Sequence, residues 1–180
     1  MKKIFFKYWI LKVIAYWILN LFPSKVLYYF QVKIIKRASL QVHEISDDFK
    51  YFSKNIVSSS DKNNIELLEF GAGKNLALNI YLSLLKPNLN QTVIDLNRMF
   101  DENLFYDAYI NISKILKIKT THDRDQISDL LSFLRINYIS PMDILNLKQR
   151  NFYDYCISRD TLEHIPKHQI KKIFKKIFEL

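Results

Sequence analysis

From residue 65 onward, the hydrophobic pattern alternates between short apolar runs and longer segments with an apolar residue every three or four positions. The short runs predict buried strands, and the longer segments predict amphipathic helices. Strands that alternate with helices predict a parallel sheet with right-handed crossovers. The predicted strands are 65–70, 92–96, 136–139 and 153–158, and the predicted helices are 74–85, 101–117, 124–134 and one from 165 to the end.

The first 40 residues differ from the rest in charge and aromatic content. They hold eight Lys or Arg and no Asp or Glu, so +8 of the net charge of +9 belongs to them. Their longest uncharged run, 13–24, is short for a bilayer span, and no small-residue signal-peptide cleavage site follows it. Lysines among aromatic residues favour a helix on an anionic membrane surface through residues 1–22. The alternative is a helix packed on its own domain or on a second copy in a homo-oligomer.

Two domains are predicted. Helices over 25–37 and 47–57, the second followed by the polar cluster 58–64, extend the N-terminal part into a basic, aromatic-rich helical arm over 1–60. A sheet domain follows over 61–180, and the apolar fraction of 49% is ample for its core. Because the sheet domain is nearly neutral, a nucleic-acid partner is not expected. No residue is assigned as a metal ligand. A single cysteine fits a reducing compartment, which predicts a cytoplasmic location, at the inner face of the membrane if the arm binds there.

The chain has only two glycines, Gly71 and Gly73, and they stand two apart between a predicted strand and a predicted helix. A strand, a tight glycine turn and a helix N-terminus are typical of a site for a nucleotide-like ligand. A phosphate-binding P-loop does not fit, because Leu68 and Asn75 stand where it needs a glycine and a hydroxyl. The dinucleotide fingerprint G-x-G-x-x-G is disfavoured, since Leu76 occupies its third glycine position.

The turn, Glu69-Phe-Gly71-Ala-Gly73-Lys-Asn75, resembles the E/D-x-G-x-G-x-G motif of class I S-adenosylmethionine-dependent methyltransferases, with Asn75 where a third glycine is usual. Three further segments resemble that family in the same order. Residues 92–97 resemble its second strand, 138–143 its third strand with an acidic follower, and 154–166 the fourth-strand motif of the type 11 group. The resemblance covers residues 65–166.

This resemblance implies a Rossmann-like, doubly wound α/β fold and S-adenosylmethionine as cofactor. It implies that Gly71 and Gly73 admit the ribose–methionine portion and that Glu69 orients the turn and the ammonium end. Asp95 would accept the ribose hydroxyls, as an acid at the end of the second strand does in dinucleotide folds. Asp143 would accept from the adenine amine.

The resemblance also places Ser158, Arg159 and Asp160 at the carboxyl end of the fourth strand, beside the sulfonium and the methyl acceptor, with Ser158 as a cofactor contact. Where an oxygen or nitrogen acceptor needs a base, Asp160 and His164 are the candidate catalytic residues.

Structural roles are the alternatives for four of these residues. Glu69 could cap the next helix or pair with Lys74, Asp95 could be a turn acid, and Asp143 could cap a helix after Pro141. His164 and its neighbour Glu163 could cap the last helix.

The family sheet has seven strands in the order 3-2-1-4-5-7-6, and this sequence supplies the first four, so truncation after the fourth strand is expected. Three function classes follow. The first is methyl transfer to a small molecule, with a cell-surface sugar or lipid-linked intermediate favoured by the basic aromatic arm. The second is a non-catalytic cofactor-binding or membrane-associated module. The third, a nicotinamide-dependent oxidoreductase, is disfavoured by Glu69 and Leu76.

Overall fold

The computed structural model of the protein describes residues 42–57 and 64–180. This part of the chain contains four strands and five α-helices. In chain order they are α1 (Asp47–Ile56), β1 (Ile65–Phe70), α2 (Ala77–Leu85), β2 (Leu89–Ile94), α3 (Glu102–Leu116), α4 (Ile127–Phe133), β3 (Ile136–Ile139), β4 (Tyr155–Ile157) and α5 (Lys167–Ile177), with short 3-10 helices at Ile144–Asn146 and Leu162–His164.

The four strands form one all-parallel sheet in the order β3-β2-β1-β4. Strand β1 pairs with β2 along its whole length, from Ile65 opposite Leu89 to Phe70 opposite Ile94, and β4 pairs with the middle of β1. The chain runs outward from β1 to β3 and then returns to the other side of β1 for β4. This reversal makes the carboxyl ends of β1 and β4 the topological switch point, where open α/β sheets bind ligands. The predicted Rossmann-like α/β sheet is therefore present.

Helices cover both faces of the sheet because alternate strand residues point to opposite faces. Ile65 and Leu67 of β1 belong to one buried cluster, which includes residues from α1, α2, α3 and α4. Leu68 and Phe70 belong to a second cluster, which contains the 3-10 helix Ile144–Asn146 and Ile173 of α5. Both faces of β1 are thus buried, which explains why apolar residues occur on both faces of this strand.

Two predicted boundaries beside the turn are wrong. Strand β2 occupies Leu89–Ile94 and not 92–96, because its ladder begins opposite Ile65, and Leu96 is 65% exposed beyond the end of the strand. Helix α2 begins at Ala77 and not at 74, because Leu76 adopts a left-handed φ of +47° that helix interiors exclude. The side chain of Asn75 accepts the Ala77 N–H in place of a helical carbonyl (3.2 Å).

Near the end of the chain, the predicted elements are too long. Strand β4 covers Tyr155–Ile157 and not 153–158, matching the three-residue ladder it forms with β1. The last helix is interrupted at Pro166, which has an extended ψ of 133°, so α5 begins at Lys167.

The predictions for the arm, including its membrane surface at residues 1–22 and its helix over 25–37, lie outside the described residues. The predicted boundary at residue 60 assigns the 47–57 helix to the arm. In the structure this helix is α1; its Phe49 and Ile56 are buried in the first core cluster, and Gln41–Leu180 form one compact unit. No helix in the described ranges is both long and apolar enough to cross a bilayer.

Candidate functional site

Gly71 begins the turn at the carboxyl end of β1. Its N–H donates to the Ile94 carbonyl (3.0 Å), and its own carbonyl accepts from the Thr161 hydroxyl (3.1 Å). Its φ is +76°, and a Cβ there would lie 2.1 Å from Oγ1 of Thr161. Glycine is required here because the segment after β4 packs directly against its Cα. The sequence pattern gave no role to Thr161, which lies just before the Leu-Glu-His motif.

Gly73 has a similar backbone conformation and a different environment. Its φ is +81°, and a Cβ built there would meet no described protein atom within 4 Å. The turn therefore presents bare backbone to open space at Gly73. Leu76, at the third glycine position of a dinucleotide fingerprint, also has a positive φ, but its side chain is fully buried in the core.

Glu69 is buried beneath α2 and starts a chain of buried polar side chains. Its Oε2 accepts from Nδ2 of Asn79 (2.7 Å), which also donates to Oε1 of Gln91 (3.1 Å). Gln91 donates to the Ser83 hydroxyl (2.6 Å), which donates to the Leu134 carbonyl (2.6 Å). This network ties β1, β2 and α2 to the end of α4. The alternative ion pair between Glu69 and Lys74 is absent from the described residues.

Two acceptors in this network have no donor in the part of the chain that the structure describes, namely Oε1 of Glu69 and Oδ1 of Asn79. Burial raises the pKa of Glu69 from 4.5 to about 7, although the charge of Arg159 and the hydrogen bond from Asn79 oppose the shift. The carboxyl group is thus poised to exchange a proton near neutral pH. Burial, with a smaller contribution from Glu69, raises the pKa of the neighbouring Cys156 thiol to about 12, which makes it a poor nucleophile.

Asp95 follows β2 and is 4% exposed. Its Oδ2 accepts from the Tyr138 hydroxyl (2.8 Å), and that hydroxyl oxygen accepts the N–H groups of Met99 (3.2 Å) and Phe100 (3.3 Å). Burial raises the pKa of Asp95, and the Tyr138 hydrogen bond opposes this shift. Tyr138 therefore orients the predicted ribose acid and anchors the loop after it, a role that the strand pattern could not reveal.

We expect Tyr138→Phe to destabilise the protein by about 1–3 kcal/mol, because Asp95 loses its buried donor and two N–H groups lose their acceptor. The pKa of Asp95 should rise further. Urea unfolding measures the first effect, and the carbon chemical shift of the Asp95 carboxyl during a pH titration measures the second. Tyr106→Phe is the matched control, since the Tyr106 hydroxyl makes one hydrogen bond, which it donates to the His122 carbonyl (3.2 Å). Equal losses in the two variants would show that Tyr138 does not support Asp95.

A cavity of about 270 Å³ lies beside the turn, at the carboxyl ends of β1, β2 and β3. Asp143 is the one carboxylate among the described residues around it. Its Oδ1 accepts the Leu145 N–H (2.9 Å) and caps the 3-10 helix, so the structural role proposed for Asp143 is observed. Within the described residues, Oδ2 has no hydrogen-bond partner. The lining also includes residues near the strand ends, namely Phe70, Gly71, Ile94, Leu96 and Met142, and residues from the segment after β4, among them His164 and Ile165.

The segment after β4 carries the remaining predicted residues. The hydroxyl oxygen of Ser158 is buried without a hydrogen-bond partner in the described chain. Asp160 is exposed, has a left-handed φ of +54°, and is not among the cavity residues. His164 borders the cavity, but its side chain is 75% exposed, and its Nε2 lies 3.4 Å from Oε1 of Glu163. No hydrogen bond joins the two candidate catalytic residues in the described structure.

In comparisons with known proteins, no family model matches this chain, and no curated protein matches it.

Proposed function

We propose that this protein binds S-adenosylmethionine and transfers its methyl group to a small-molecule acceptor. The observation that carries the proposal is a glycine turn at the topological switch point of a parallel sheet, in which Gly73 presents open backbone and Gly71 borders an apolar cavity. A ligand can approach the backbone closely at a glycine, because no side chain stands in the way. The cavity offers an apolar surface for a nucleobase, and one carboxylate lies at the border of the cavity.

The side chains around this point fit the chemical groups of the cofactor. Asp143 has a carboxylate oxygen free to accept from an adenine amine, and Asp95 is held at the end of β2, where a ribose diol would be bound. Ser158 has a buried hydroxyl without a partner in the described residues. Glu69 lies under α2, so its proposed effect on the ammonium end is exerted through the turn that it supports.

Bound S-adenosylmethionine supplies an activated methyl group. The protein then contributes mainly by aligning the acceptor with that methyl group. His164 and Asp160, both in the segment after β4, are the candidate bases for the acceptor proton. A cell-surface sugar or lipid-linked acceptor is proposed from the basic aromatic sequence of the arm.

Calorimetric titration with S-adenosylhomocysteine and with NAD⁺ tests the proposal. We expect the first ligand to bind and the second to give no heat, whereas the reverse would identify a nicotinamide site. Gly73→Ala should weaken S-adenosylhomocysteine binding at least about tenfold, a loss of roughly 1.4 kcal/mol of binding free energy, because the new methyl group points to the open space. Asp143→Asn should also weaken binding, since a carboxylate accepts more strongly from an amine than an amide does.

Turnover separates an enzyme from a module that only binds. We expect S-adenosylhomocysteine to form from S-adenosylmethionine when candidate sugar or lipid-linked acceptors are added, and we expect His164→Ala to slow this reaction. Cofactor binding without methyl transfer to any of those acceptors would favour the non-catalytic alternative.

A further inference from the structure

Arg159 is a half-buried cation with unused hydrogen-bond donors at the carboxyl end of β4. Its guanidinium carbon lies 5.1 Å from the ring centre of Phe49 in α1. No acceptor for its N–H groups and no carboxylate within ion-pair distance is found among the described residues. A guanidinium carries five donors in a planar fork that matches a carboxylate. The contact with the Phe49 ring holds the guanidinium in place, and its N–H groups remain available to a ligand.

Arg159 lies beside the glycine turn, because the Thr161 hydroxyl contacts both the Arg159 carbonyl (3.0 Å) and the Gly71 carbonyl (3.1 Å). The charge of Arg159 is the largest effect that lowers the pKa of Glu69 against its burial, so the two groups are electrostatic neighbours. Arg159 also borders a surface depression formed with Asp48, Tyr51 and Phe52 of α1. The segment after β4 and the start of α1 thus present a cation and an acid around one depression. Such a pair is complementary to the carboxylate and ammonium groups of an amino acid.

The other described arginines near the carboxyl edge have partners. Arg124 donates to Asp107 (2.6 Å) and Asn103 (3.1 Å). Arg98 lies 3.7 Å from Glu102, and its side chain is 71% exposed. Arg124 also lies over an aromatic ring, that of Tyr106 (5.1 Å). Arg159 differs from both arginines because it is half-buried and has no carboxylate partner in the described chain.

We infer that Arg159 binds the carboxylate of the amino-acid portion of S-adenosylmethionine, with Phe49 holding the guanidinium plane in place. This inference rests on the proposed function. Arg159 would bind the amino-acid end of the cofactor, while the adenosine end is bound at the Asp143 cavity. Arg159 is therefore a binding residue that discriminates between ligands with and without the carboxylate.

A pair of ligands that differ only in this group tests the inference. S-adenosylmethionine and its decarboxylated form are titrated into the wild-type protein and into Arg159→Gln. We expect Arg159→Gln to weaken binding of S-adenosylmethionine about 10–100-fold, as for the loss of a charge-assisted bidentate contact. The affinity for the decarboxylated ligand should change by no more than about twofold. The affinity of Arg159→Lys for S-adenosylmethionine should lie between those of the wild-type protein and Arg159→Gln, because lysine keeps the positive charge but lacks the planar set of donors of a guanidinium.

Arg98→Gln is the control for loss of positive charge at the same edge, and it should change neither affinity. Circular dichroism and thermal unfolding verify that each variant is folded. Equal weakening of both ligands by Arg159→Gln would overturn the inference and leave the proposed function standing. Failure of the wild-type protein to bind either ligand would instead overturn the proposed function.

Discussion

Gly71→Ala is expected to destabilise the protein by about 2–5 kcal/mol, the sum of a left-handed backbone penalty and an overpacking penalty. The backbone penalty arises because φ is +76°. The overpacking arises because three atoms of Thr161 would lie within 2.8 Å of the new Cβ, the nearest at 2.1 Å. The segment after β4 would have to move away from the turn, which also breaks the hydrogen bond from Thr161 to the Gly71 carbonyl. Urea unfolding followed by circular dichroism measures the loss.

Gly73→Ala is the matched control for this variant, because its φ is nearly the same and its Cβ meets no described atom. It should cost only the backbone penalty of about 1–2 kcal/mol. Combining Gly71→Ala with Thr161→Gly, which removes all three overlapping atoms, should recover part of the loss relative to the sum of the single variants. Additive effects, or equal losses at the two glycines, would show that Thr161 does not constrain the turn.

Glu69→Gln is expected to stabilise the protein at pH 8 by about 3 kcal/mol and to have little effect near pH 4.5. The folded-state pKa of Glu69 is raised to about 7 from 4.5. In the wild-type protein the corresponding stability is therefore fully present below pH 4.5, declines as the pH rises from there, and is lost above pH 7. Glutamine removes the charge that burial penalises and adds a donor beside the unpartnered buried Oδ1 of Asn79. Urea unfolding at several pH values measures the difference.

The charged and titratable neighbours of Glu69 act in opposite directions. Arg159 lowers its pKa, Asp95 raises it, and Cys156 lies close enough to be affected by it. Glu66→Gln is the control, because Glu66 lies in the same strand, is less buried, and accepts from Asn90 (2.6 Å). Glu66→Gln should not reproduce the gain in stability that Glu69→Gln gives at pH 8. A Glu69→Gln variant that is destabilised equally at pH 5 and pH 8 would show that the Glu69 side chain acts only through its hydrogen bond to Asn79. Under the proposed function, cofactor binding weakens in the same variant that gains stability.

Most of the secondary structure could be predicted from local sequence patterns. Strands 65–70 and 136–139 and the approximate positions of α1, α3 and α4 follow from apolar periodicity and polar turn clusters, which depend on neighbouring residues. The register of β2 did not follow, because it depends on where Leu89 pairs with Ile65, 24 positions away in the sequence. The start of α2 was missed because buried Leu76 holds a left-handed conformation that no propensity favours, and core packing stabilises it.

The sequence by itself determined that a parallel sheet carries a glycine turn at its carboxyl edge, since strand period and glycine spacing are local properties. Only the tertiary structure decided what each site residue contacts. Tyr138 reaches Asp95 across 43 residues of chain, and Thr161 reaches Gly71 across 90. Burial of Glu69 beneath α2 and stacking of Arg159 on Phe49 likewise depend on how helices pack on the sheet. Pairing, burial and pKa shifts are set by distances through space, and no local pattern encodes those distances.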